Sequence, residues 1–287
     1  MTHSQIYFPN LHIYLESVGK NITIGGFTIA YYGMVIALGM LLGGSLVLRK
    51  AKKAGKDEDA YLDVVIFTVI FAVLGARIYY VIFAWDYYKN DLLSVLNFRQ
   101  GGLAIYGGII GGIITAYIVT KIKKIPFLEF ADFGILGVPV GQILGRWGNF
   151  FNREAFGQYT DGLFAMLIPT DAVRSSSDIT TEMWNHIVVM DGVEYISVHP
   201  TFLYESIWNI GVLLLLLFLL RRKSYNGEIF FSYLLWYGVG RFWIESLRTD
   251  QLLLPNTEIP VSMVVAAVLV IISLIFHGIQ IYKLKKS

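Results

Sequence analysis

Along the chain, apolar runs of about twenty residues alternate with short polar segments. A helix that crosses the hydrocarbon core of a bilayer needs about 20 mostly apolar residues. By that measure seven spans are expected, at roughly 26–48, 61–83, 102–120, 127–146, 201–220, 228–247 and 261–282. Asp63 and Arg77 interrupt the second of these, and Glu129 and Asp132 the fourth. No internal repeat and no low-complexity tract stands out. The pattern predicts an all-α polytopic membrane protein, one integral membrane domain over residues 1–287. The longest polar stretch, 150–199, lies between spans four and five. Its β-prone runs HIVVM and EYISV, set among turn residues, predict a small extracytoplasmic cap with a hairpin.

Charge orients this arrangement. Only 15% of residues are charged, against about 25% in an average soluble domain. The segments RKAKKAGK, KIKK, RRK and KLKK hold 14 of the 23 Lys and Arg, and they follow spans one, three, five and seven. Lys20, Lys89, Arg99, Arg153, Arg174 and Arg248 are scattered singly over the opposite segments. The positive-inside rule then places the N-terminus outside and the C-terminus in the cytoplasm. The opening MTHSQIYFPNLHIYLESVGK lacks a basic region followed by an apolar core, so the first apolar run is expected to remain in the mature protein. There is no cysteine, hence no thiol nucleophile and no disulfide. Clustered Cys/His spacing, a Walker loop and a dinucleotide fingerprint are also absent, so neither metal nor cofactor nor nucleic acid is expected.

Three arginines remain, and all fall in or beside spans. At 1.5 Å per residue, Arg77 and Arg241 lie about 9 Å below the outer ends of spans two and six, and Arg146 lies at the outer end of span four. Charges at such positions are costly and mark functional sites. Arg146 opens a polar knot in an apolar chain, GRWGNFFNREAFG at 145–157, which also holds Asn149, Asn152 and Glu154. A lone interfacial arginine often snorkels, but this much polarity suits bidentate capture of a phosphate. In GRFWIES, 240–246, Arg241 and Glu245 are i,i+4 on one helix face: a self-neutralising pair, or an arginine held ready for an anion. In VHPTFLYES, 198–206, His199 and Glu205 either tie the cap to span five or take part in chemistry. The glycines of RQGGLAIYGGIIGG, 99–112, suit close helix packing, and Tyr106 among them offers a hydroxyl.

At these residues the chain resembles the phosphatidylglycerol–prolipoprotein diacylglyceryl transferases. GRWGNFFNREAFG fits their signature G-R-x-[GA]-N-F-apolar-N-x-E-x-x-G, and AYYGM, GARIYY, GGLAIYGG, HPTFLYE and GRFWIESLR resemble further family blocks in the expected order. The resemblance implies a multi-pass enzyme of the bacterial plasma membrane. Such an enzyme moves the diacylglyceryl group of phosphatidylglycerol onto the lipobox cysteine of a prolipoprotein signal peptide and releases glycerol phosphate. It also implies that Arg146, Asn149, Asn152, Gly157 and Arg77 bind phosphatidylglycerol, and that Arg241, Glu245, Tyr32, Glu154 and Tyr106 serve catalysis. Many members carry histidine where this chain has Tyr106. The base for the thiol therefore stays open between Tyr106 and a carboxylate such as Glu154. Two other classes fit part of the pattern. A transporter or flippase for an anionic lipid would use the same arginines, though inverted repeats are missing; a structural scaffold leaves them unexplained.

Overall fold

The computed structural model describes residues 3–97 and 101–286; Arg99 and Gln100, which open the glycine-rich motif, lie outside them. The described chain divides into two compact units, one of residues 3–43 and 136–286, the other of 44–135.

The second unit consists of the end of helix α1 (Tyr31–Lys53), then α2 (Glu58–Phe83), the short α3 (Trp85–Tyr88), α4 (Ile105–Ile122) and α5 (Phe127–Gly134). Asp57 caps α2, its carboxylate accepting from Ala60 N at 3.0 Å. Glycine decides how α2 meets α4. A Cβ on Gly75 would stand 2.6 Å from the Gly107 carbonyl oxygen, and one on Gly111 2.6 Å from that of Phe71. The glycine motif is thus a packing surface. Two carboxylates that interrupt expected spans are paired: Asp63 with Lys123, and Glu129 with Lys56 at 2.9 Å. Arg77 is buried.

The first unit begins with strands β1 (Ile6–Phe8), β2 (Ile13–Leu15), β3 (Asn21–Ile24) and β4 (Phe27–Ala30). It takes in the start of α1 and then α6 (Gly137–Asn152), β5 (Met166–Pro169), α7 (Thr181–Asn185), β6 (Val188–Met190) and β7 (Val193–Val198). Three long helices complete it: α8 (Thr201–Leu220), α9 (Glu228–Glu245) and α10 (Val261–Lys286). A five-stranded antiparallel sheet runs in the order β2-β1-β5-β7-β6, so the N-terminal residues pair with strands far along the chain. HIVVM and EYISV supply β6 and β7, which pair with each other. Ile6, Met166, Ile168, Met183, Ile196 and Val198 form the core beneath the sheet, and it continues into Phe150 of α6 and Phe202 of α8. Below it α6 packs on α8, α8 on α9 and α9 on α10. Gly39 and Gly43 of α1 meet Gly141 and Gly137 of α6 backbone to backbone.

The structure redraws three of the expected spans. Residues 27–30, expected in span one, are strand: β3 and β4 form a hairpin whose tip is Gly25–Gly26, both at positive φ, and the helix starts only at Tyr31. The fourth span is two helices, α5 and α6. Pro139 lacks an N–H, and its ring crowds the carbonyl of residue 135, which ends a continuous helix there. α6 also continues six residues beyond 146, so Arg146 sits within a helix and not at its end. Among the described residues, six segments are long and apolar enough to cross a membrane. α9 has 18 residues but carries Glu228, Arg241 and Glu245, and it is not among the six.

Candidate active site

The polar knot divides at Asn152, where α6 ends. Its first half is helical, which puts Arg146 and Asn149 on one face, three residues apart. Arg146 Nη1 donates to Asn149 Oδ1 at 3.3 Å. The second half is irregular, with Arg153 and Ala155 both at positive φ, a backbone that non-glycine residues adopt only when the surroundings hold them there. Here the surroundings are hydrogen bonds. Arg153 closes α6 and donates to the carbonyls of Phe151, Ser4 and Val18, binding the N-terminal residues to the knot. The two arginines of the knot therefore differ: Arg153 is structural, and Arg146 faces other charges.

Glu154 organises the knot. Its Oε1 accepts from Asn149 Nδ2 at 3.0 Å and from Asn152 Nδ2 at 3.2 Å, and its Oε2 takes Arg174 from the polar segment that follows. Tyr32, in the first turn of α1, lies over Gly148, where a Cβ would collide with its ring. Its hydroxyl is near enough to Glu154, Arg146 and Arg174 to feel their charges. Gly157 is a stitch in the backbone. Its N–H donates to His199 O at 2.9 Å, it bridges to Arg248, and a Cβ there would stand 2.7 Å from the His199 Cβ and 2.9 Å from the Leu247 carbonyl oxygen.

Three helices converge on one carboxylate. Glu205 of α8, 5% exposed, pairs through Oε2 with Arg146 Nε of α6 and through Oε1 with Arg241 Nη1 of α9, the latter at 2.7 Å. Arg241 Nη2 also meets Glu245 Oε2 at 2.5 Å, as an ion pair that lacks a well-directed hydrogen bond. Hydrogen bonds fix the helices on either side: Ser206 Oγ donates to Ile143 O at 3.1 Å, and Tyr233 Oη to Gln142 Oε1 at 3.0 Å. Beside this cluster α8 and α9 enclose an apolar groove of about 410 Å³, lined by Trp208, Trp236, Trp243 and Tyr204.

The structure therefore brings together Arg146, Asn149, Asn152, Glu154, Tyr32, Arg241 and Glu245. Arg77 and Tyr106 belong to the other unit. Arg77 donates there to the carbonyls of Ser94, Val95, Asn97, Gly101 and Gly102 at 2.7–3.2 Å. Tyr106 stands in the first turn of α4, 45% exposed. Glu205, which the sequence left open between tying the cap to span five and chemistry, is a member of the site, and so is Arg174, which the sequence did not single out. For Glu205 a signal existed: it is a glutamate one turn into an apolar helix with no basic residue within four positions, so its partners had to come from other helices. Arg174 carried no such signal.

The site is thus a buried cluster of arginines and carboxylates carried by helices of a membrane protein, beside an apolar groove. A profile of prolipoprotein diacylglyceryl transferases matches residues 20–279. The phosphatidylglycerol–prolipoprotein diacylglyceryl transferase of Clostridioides difficile (strain 630) is 42% identical over 265 residues, 92% of this chain and 95% of the relative. Enzymes of the same name from Bacillus cytotoxicus and Bacillus cereus (strain Q1) are 41% and 42% identical over 255 residues, 89% of each chain. The chain belongs to the prolipoprotein diacylglyceryl transferase family.

Proposed function

We propose that this protein transfers the diacylglyceryl group of phosphatidylglycerol to the lipobox cysteine thiol of prolipoproteins in the bacterial plasma membrane, and that Arg146 and Arg241 grip the lipid phosphate during the transfer. One observation carries the second part: two arginines from different helices are held within reach of a single anion. Sulfur forms a bond to the glyceryl carbon, the carbon–oxygen bond to phosphate breaks, and the thiol proton ends on the departing glycerol phosphate or in water. The leaving group gains negative charge, and fixed cations aimed at it are worth several kcal/mol. The nucleophile comes with the substrate, which accounts for a chain without cysteine.

Asn149, Asn152 and Glu154 form a bonded network suited to the glycerol headgroup. Glu154 already accepts from three donors, so its oxygens are occupied within this network. We therefore assign it to organising the headgroup site. Tyr32 extends that site from α1. Gly157 keeps the knot against the ends of α8 and α9. Arg77, whose donors meet backbone carbonyls, orders the segment around it. A thiol is only a few per cent ionised near pH 7, and the arginine field raises that fraction. The base stays open between Tyr106 and a second carboxylate.

We also assign α9 to the membrane, giving seven spans with the basic clusters in the cytoplasm and the 150–199 cap outside. The bridge between Gly157 and Arg248 supports this, because α8 and α9 are the only long helices between them. Both cross or neither does, and α8 is long and apolar.

The test uses purified protein, phosphatidylglycerol vesicles and a synthetic lipobox peptide. The expected result is a peptide heavier by one diacylglyceryl group, dependent on the cysteine. Movement of lipid across the vesicle without peptide modification would favour a carrier and overturn the proposal.

A further inference from the structure

We infer that Glu205 is a positioning residue, the anion that sets the spacing and orientation of Arg146 and Arg241; this rests on the assignment of those arginines to the phosphate. Two guanidinium groups repel one another, and in a site largely shielded from water that repulsion is strong. They can be held as a pair only if an anion stands between them. Glu205 meets that need with its oxygens divided, Oε2 on Arg146 and Oε1 on Arg241. Glu245 cannot replace it, because it pairs with Arg241 alone.

The donors used are informative. Glu205 takes Nε of Arg146 and Nη1 of Arg241, Asn149 takes Nη1 of Arg146, and Glu245 takes Nη2 of Arg241. Among the described residues, Arg146 Nη2 and Arg241 Nε are left for an incoming anion. Asn209 Nδ2 donates to the Glu205 backbone carbonyl at 2.8 Å, which steadies the turn that carries the carboxylate. Both carboxylate oxygens of Glu205 are already engaged by guanidinium groups and neither is open to a thiol proton. Glu205 therefore works through the arginines and not as the base.

The experiment measures kcat and KM for phosphatidylglycerol in mixed micelles, with a lipobox peptide, over a range of pH. Variants are Glu205→Gln, Arg146→Lys and the double variant, each checked for a cooperative melt. The expected result for Glu205→Gln is a fall in kcat/KM of about ten-fold or more with the shape of the pH profile unchanged. In the Arg146→Lys background the same substitution should cost less than about two-fold, since residues that act as one unit are not additive. Glu205→Gln near wild-type efficiency, or a full multiplicative loss on Arg146→Lys, would overturn the inference while leaving the phosphate assignment intact. A pH profile that loses its acidic limb in Glu205→Gln would also overturn it and make Glu205 a base. Arg146→Lys at wild-type efficiency would overturn the phosphate assignment itself, and the inference with it. If the glutamine variant does not fold, Glu205→Asp carries the test. It keeps the charge and the proton acceptor, but its shorter arm cannot span both cations, so kcat/KM should again fall; near-wild-type efficiency would overturn the inference.

Discussion

Arg241→Ala removes the cation that holds two buried carboxylates, and the two are left in different situations. Glu205 keeps Arg146, whereas Glu245, whose side chain is 4% exposed, loses its ion-pair partner. Stranding one buried charge by deleting its partner costs about 3–5 kcal/mol. That is a large part of the roughly 5–15 kcal/mol that keeps a domain folded. The variant should therefore melt well below wild type or accumulate poorly. Adding Glu245→Gln removes the stranded charge, so Arg241→Ala/Glu245→Gln should recover most of the lost melting temperature. It should not recover lipid transfer, because the phosphate has lost a guanidinium. The assay pairs thermal unfolding in detergent with transfer from phosphatidylglycerol to a lipobox peptide. Two results would refute the reasoning: Arg241→Ala transferring lipid at the wild-type rate, or a double variant no more stable than the single one.

Three further outcomes are expected. Tyr106→Phe should keep transfer within a few-fold of wild type, because a phenol is a poor base unless its surroundings activate it; loss of transfer with lipid binding intact would make its hydroxyl the base. Gly157→Ala must fit a methyl group 2.7 Å from the His199 Cβ, so it should lose about 1–3 kcal/mol of stability, with a lower melting temperature as the readout. Burial holds the His199 imidazole below its ordinary value. The unfolded chain therefore binds a proton near pH 6.5 that the folded one resists, and stability should fall as pH drops from about 7 through that range. His199→Gln should flatten the decline, and an identical decline in the variant would place its origin elsewhere.

Much of this arrangement could be read from the sequence. Hydropathy located the long helices, since twenty apolar residues in a row permit little else, and the knot at 145–157 and the pair Arg241–Glu245 stood out as polarity in apolar surroundings. What escaped was set by distant contacts. β4 was absorbed into span one because FTIA is as apolar as a helix, and only Gly25–Gly26 marked a turn. β1, β2 and β5 have three or four residues each, too short for a period of two to show. The split of the fourth span depended on one proline that a hydropathy window averages away. Glu205 was visible as a charge, but its division between two arginines exists only once α6, α8 and α9 are packed.

The pairing of Tyr7 with Leu167 also sets a schedule. One edge of β1 pairs with the nearby β2, but the other waits for a partner 160 residues later, which at about 5–20 residues per second is roughly ten to thirty seconds of synthesis. Through that interval Ile6 and Phe8 have no core to enter, and Arg153, which will hold Ser4 and Val18, has not been made. Residues 4–18 are thus made long before the contacts that fix them. Shortening them, or fusing a bulky tag ahead of them, would act late, on the closing of the sheet beside the site and not on the insertion of the helices.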